Sequence, residues 1–216
     1  MNRLLILNLL ILFAFFSCTS KKKDDYIPKL AKTIQPSDTV IIDCNYTFQE
    51  SVEGSNAPLD VIDQLQLINV QYYSIDGKIH AGQVLTNKKI VNDIFNLFEY
   101  MLHVRFPIAK VIPIVNYKWN DIISMHANNS YSFCYRDASY SKHAYGMAID
   151  INPYFNPVRW KIGYQHRLNK PFGAVYNPKI PGTFYPTHPV VLEFKKHGFR
   201  WGHNFTRNYD DHHFEK

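Results

Sequence analysis

The sequence predicts an α+β domain with a small central antiparallel sheet and flanking helices. Two segments, 87–104 and 189–197, place apolar residues at helical spacing, while runs within 60–85, 146–152 and 199–201 read as strands. A chain of 216 residues suits one such domain plus a leader.

The leader comes first. Residues 1–17 carry Arg3, then an apolar run from Leu4 to Phe16 broken only by Asn8, then Ser17 before Cys18. The run is short for a permanent span and suits a signal peptide. It resembles a bacterial lipoprotein signal, which implies a lipidated Cys18. Residues 18–58 are assigned to that cysteine and a linker, because 19–38 hold two prolines, many charges and few large apolar side chains. The domain is placed at 59–216. Cys44 and Cys134 remain, either paired in an oxidising compartment or as two buried thiols.

Within the domain, 60–85 reads as β structure and turns, with branched and aromatic runs about an Asp76-Gly77 turn. Residues 87–104 read as a helix capped by Asn87, with Ile90, Ile94, Leu97, Phe98, Met101 and Leu102 on one face. Pro107 and Pro113 interrupt a strand over 106–115, and 120–132 suits a short helix and loop. In 146–152, Met147, Ile149 and Ile151 face one side and Ala148, Asp150 and Asn152 the other. Residues 153–186 are long for a loop and suit a lid or binding wall. A helix from Pro189 ends at Gly198, and a strand follows at Phe199-Arg200-Trp201.

The formal charge of +6 fits nucleic acid, a membrane or an anionic wall equally well. Apart from Lys21, Lys22 and Lys23 the cations are scattered, with no basic stripe among aromatics, so no nucleic-acid partner is expected.

Two clusters carry chemistry: Ser141 to Asp150, and His197 to Gly202 followed by Asp210-Asp211-His212-His213-Phe214-Glu215. Zinc takes three His or carboxylate ligands and an open position. His143 precedes a strand, Asp150 sits on it, Gly146 allows the turn between them, and Ala148 leaves room above the sheet. Asp210-x-x-His213 offers a third ligand with a carboxylate beside it, the group a zinc-bound water needs as general base. His212 competes with His213, and Asp211 with Asp210.

Ser-x-His-x-x-Gly-x-Ala-x-Asp, His-Gly-Phe-x-Trp-Gly and Asp-x-x-His-Phe together resemble the M15 family of zinc peptidases. That family includes D-alanyl-D-alanine carboxypeptidases and the L-alanyl-D-glutamate endopeptidases of phage endolysins. His80-Ala81-Gly82-Gln83, Arg105-Phe106-Pro107-Ile108 and Phe133-Cys134-Tyr135-Arg136 look like the endolysin-type branch. The resemblance covers roughly 68–216. It implies zinc on His143, Asp150 and His213, on one face of the sheet, with Asp210 as base and Arg136 facing the substrate. It further implies that Ser141, Tyr145 and Trp201 contact substrate or shape the pocket. The implied protein is a zinc peptidase acting on peptidoglycan stem peptides, a monomer tethered in the cell envelope by a lipid on Cys18, facing the periplasm or the cell surface. The alternative is a lipoprotein that binds wall peptides on a degenerate site.

Overall fold

The computed structural model describes residues 39–136 and 140–216. The leader, Cys18 and the linker to residue 38 lie outside the described residues. In chain order the elements are β1 (Ile41–Ile42), α1 (Phe48–Val52), α2 (Leu59–Ile62), β2 (Leu65–Tyr73), β3 (Ile79–Asn87) and α3 (Val91–His103). Then come β4 (Lys110–Val111), α4 (Asp121–His126), β5 (Asn129–Ser130), β6 (Ala148–Asp150) and β7 (Val158–Trp160). The chain closes with α5 (Pro189–Lys196), β8 (Arg200–Trp201), β9 (Asn208–Asp210) and β10 (His213–Glu215).

The class is α+β, but among the described residues the strands form no single central sheet. One three-stranded sheet has the order β1-β3-β2 and a second has the order β6-β10-β8, with β4-β5 and β7-β9 as separate pairs. The second sheet is antiparallel throughout; the first mixes a parallel β1–β3 pair with the antiparallel β2–β3 hairpin. The hairpin runs in register from Leu65 opposite Asn87 to Tyr73 opposite Ile79. Its turn is closed by Asp76 Oδ1, which accepts from the Lys78 amide at 3.0 Å.

Folded structure begins before residue 59, which corrects the expected linker. β1 adds to the edge of β3, and the Tyr46 amide donates to Gln83 Oε1 at 2.7 Å. Thr47 and Glu50 form a capping box on α1. Phe48, Val52 and Ala57 then pack on Val61, Leu65, Leu85 and Phe133. These scattered apolar residues are too few to show a period in the sequence.

The main core joins both sheets. Ile94, Leu97, Phe98 and Met101 of α3 meet Val70 and Val84 of the hairpin, Ile149 and Ile151 around β6, Phe194 of α5 and Phe214 of β10. Asn87 is not the cap of α3. It ends β3, its Nδ2 donates to the Tyr145 carbonyl at 2.9 Å, and the helix starts after Ile90. At α5, His188 caps by accepting from the Val190 amide. Cys44 and Cys134 are both free thiols.

Candidate metal centre

The antiparallel register of β6 and β10 sets His213 directly opposite Asp150. His143 comes from a single 3-10 turn, Lys142–Tyr145, which Gly146 ends at φ +64°. A Cβ at Gly146 would lie 2.8 Å from the Asn87 amide nitrogen, so the turn can press against the end of β3 only with glycine there.

Three atoms converge. His143 Nε2 is 3.0 Å from Asp150 Oδ1 and 3.0 Å from His213 Nδ1, and His213 Nδ1 is 3.0 Å from Asp150 Oδ1. The partners on the far side of each ring assign the tautomers. His143 Nδ1 lies 2.6 Å from the Ser132 carbonyl oxygen and His213 Nε2 lies 2.9 Å from Glu215 Oε2, both acceptors only. The protons therefore sit on those far nitrogens, and in the neutral rings the inner nitrogens present lone pairs. Two imidazole lone pairs and one carboxylate oxygen then point at a common centre, a donor set suited to zinc. Tetrahedral ligands with bonds of about 2.0 Å stand about 3.3 Å apart, close to the observed triangle.

Burial alone would lower His213, but hydrogen bonds to Asp150 and Glu215 push it up to about 10. Burial would raise Asp150, yet the charges of His143 and His212 and the hydrogen bonds from His143 and His213 hold it well below its usual range. Burial would likewise raise Glu215, but His213 and Arg200 bring it down to about 2.

Asp210 ends β9 beside this triangle. Its Oδ1 is buried without a hydrogen-bond partner; His212 Nε2 stands 3.0 Å away, at ion-pair distance but without hydrogen-bond alignment. Asp211 points away from the cleft. It is fully buried and tied to Arg159 Nε at 2.7 Å and to His203 Nδ1 at 2.6 Å. His212 Nδ1 donates to the Asn156 carbonyl at 2.7 Å, and its Nε2 stands 3.0 Å from Asp210 Oδ1 and 3.7 Å from Asp150 Oδ2, so the ring bridges the two carboxylates.

These groups open on a cleft of about 410 Å³ whose walls include Arg136, Tyr140, Ser141, Trp160, Lys170 and Phe205. Arg136 Nη1 is held at 3.0 Å by Asp121 Oδ2. The long segment after β6 supplies Val158, Trp160 and Lys170, so it walls the cleft as its composition suggested. A larger groove of about 510 Å³ between the α1 region and β2 has no histidine and one acid, Asp63, on its walls.

Two residues expected at the pocket are elsewhere. Trp201 is buried in the core, its Nε1 donating to the Asp211 carbonyl and its ring stacked on His203 at 4.3 Å. The Tyr145 side chain is part-exposed and outside the cleft lining. Among the residues sequence reasoning missed is Glu215. Strand alternation carries that signal, since positions 213 and 215 share a face.

Residues 136–216 match a family of peptidases described as D-alanyl-D-alanine carboxypeptidase. The matched stretch contains His143, Asp150, His213, Asp210 and Arg136, and it supports a peptidase, hence a hydrolase. No curated protein and no solved structure matches the chain.

Proposed function

We propose that this protein is a zinc-dependent peptidase that hydrolyses peptide bonds in the stem peptides of bacterial peptidoglycan. The observation that carries the reading is the convergence of His143 Nε2, Asp150 Oδ1 and His213 Nδ1 in one cleft with the Asp210 carboxylate. His143, Asp150 and His213 would hold a zinc ion, which would supply Lewis acidity at the scissile carbonyl. The Asp210 carboxylate takes the proton of the attacking water and returns it to the leaving amine. Arg136, fixed by Asp121, presents preformed positive charge to substrate oxygen, and Ser141 stands on the same wall. Cleavage between L-alanine and D-glutamate is the favoured form, on the endolysin-like stretches, with removal of a terminal D-alanine as its rival. The leader supports a lipid tether on Cys18 and a place in the cell envelope.

The test is incubation of zinc-loaded protein with purified peptidoglycan, followed by mass identification of the released fragments. New L-alanine carboxyl ends mark the endopeptidase and free D-alanine the carboxypeptidase. An unchanged polymer, with zinc bound, leaves a wall-binding lipoprotein.

A further inference from the structure

The groove of about 510 Å³ between the α1 region and β2 shares no wall residue with the metal cleft. Its walls come from residues 45–88, ahead of the 136–216 stretch that matches the peptidase family. Among the described residues those walls carry four carboxamides, Asn45, Gln66, Asn69 and Gln83, and two aromatic rings, Tyr46 and Phe48. The single carboxylate, Asp63, is matched by a single ammonium, Lys88.

Some of these groups build the groove and others are left for a ligand. Gln83 is 4% exposed and spends its amide inside the protein. Its Oε1 accepts from the Tyr46 amide at 2.7 Å, and its Nε2 donates to the Tyr46 carbonyl at 3.0 Å and to Asn69 Oδ1 at 2.9 Å. That clamp fixes Tyr46 on the hairpin and leaves Nδ2 as the free end of the Asn69 amide. Asn45 and Gln66 are exposed, and their side chains bond no described residue. The Tyr46 hydroxyl donates to Asn116 Oδ1 at 2.9 Å, and Phe48 rests on the cluster of Val61, Leu65, Leu85 and Phe133. Both rings are thus fixed where they line the groove.

A ligand for these walls is neutral, because Asp63 and Lys88 offset one another and Lys88 Nζ already donates to the Asp63 carbonyl at 2.7 Å. It is rich in polar groups that donate and accept, to match free carboxamides that do both. It also has apolar faces to lie against Tyr46 and Phe48. A saccharide bearing hydroxyl and acetamido groups has all three properties. We propose that this groove binds the glycan strand of peptidoglycan, a polymer of N-acetylated amino sugars. That occupant rests on the peptidase reading above, which supplies the polymer. The glycan runs far beyond any one cleaved bond, so a second hold on it raises the concentration of stem peptides at the metal cleft.

The test titrates the zinc-loaded full chain with two peptide-free probes, chitotetraose and glycan strands stripped of their stem peptides. Calorimetry should show binding of both. Asn45→Ala/Gln66→Ala removes two exposed side chains without internal partners, so melting temperature and zinc content should hold. Affinity for both probes should fall about tenfold, the loss expected of two hydrogen bonds, and KM on whole peptidoglycan should rise. Wild-type protein that binds neither probe would overturn the proposal, as would equal affinities in wild type and variant. An equal rise in KM on a sugar-free stem peptide would hand the groove to peptide instead. A mass that doubles with concentration in the wild type alone would put a second copy of the chain there, and also overturn it. Cleavage without glycan binding sinks the groove and leaves the peptidase reading standing. Glycan binding by zinc-loaded protein that cleaves nothing does the reverse.

Discussion

Glu215 Oε2 lies 2.9 Å from His213 Nε2, and Arg200 holds the other oxygen of the same carboxylate. This chain fixes which nitrogen of His213 faces the triangle. Outer carboxylates on ligand histidines orient the ring and raise its basicity. Glu215→Gln is expected to weaken zinc binding about 10- to 100-fold, and Arg200→Ala to weaken it less. Competition against a fluorescent chelator measures both. Wild-type affinity in Glu215→Gln would mean that packing alone orients the ring.

His143→Ala or His213→Ala should abolish zinc binding and hydrolysis, since each leaves two ligands where a catalytic zinc site takes three. His212→Ala should retain zinc, because His143, Asp150 and His213 all remain. Metal analysis after dialysis separates the three variants. Zinc lost from the His212 variant and kept by the His213 variant would reverse the assignment.

The proton and the metal compete for His213. Its pKa in the metal-free fold, about 10, is raised above the ordinary value of 6.5. A raised pKa contributes stability that is fully present below 6.5 and is lost as pH climbs through about 10. Metal-free protein should therefore lose stability across that window. Zinc requires the proton to leave, so the stabilisation added by zinc should grow over the same range. Melting curves with zinc and with chelator between those pH values test the divergence. Calorimetry in buffers of different ionisation enthalpy should show proton release on zinc uptake at neutral pH, and buffer-independent heats would contradict it.

Asp210 and Asp211 are adjacent but have different surroundings. Asp210→Asn should keep zinc and lose most turnover, because the base is gone and the ligands remain. Asp211→Ala removes a fully buried carboxylate and leaves Arg159 and His203 without it, a change expected to cost about 3–5 kcal/mol of stability. Thermal unfolding together with a turnover assay distinguishes the two. Turnover lost from the Asp211 variant at full stability would move the base role to Asp211.

Much of this site is legible in the sequence because its ligands lie on short, regular pieces. Strand alternation alone puts Asp150 opposite the Ile149–Ile151 face, and the structure buries those isoleucines in the main core. The helices at α3 and α5 are legible from apolar spacing, and α5 also from Pro189 and Gly198. Asn87 misleads because a capping side chain and a strand-end side chain look alike; the decision is made by Tyr145, far along the chain. Trp201 misleads for a related reason. Its place after His-Gly-Phe suggests a pocket wall, but the β8–β10 pairing turns it inward onto Phe214 and His203. The split into two sheets and the early start at β1 depend on long-range pairing between short strands, for which local pattern carries no signal.

Gly202 shows how closely the β8 and β9–β10 segments are pressed together. A Cβ there would stand 2.7 Å from the Asp210 carbonyl oxygen, 2.8 Å from Asp210 Cβ and 3.1 Å from His213 Cβ. None of these atoms is the end of a flexible side chain, so alanine must push the segment carrying the base and a ligand. A shift of about 1 Å at reacting groups costs about 100-fold in rate. Gly202→Ala is therefore expected to lower kcat/KM by about that factor, with zinc affinity reduced and the hairpin and helices intact by circular dichroism. Steady-state kinetics and zinc titration on the same preparation check it. Wild-type kinetics would mean that the segment can yield without disturbing Asp210, and that the close approach at Gly202 serves packing alone.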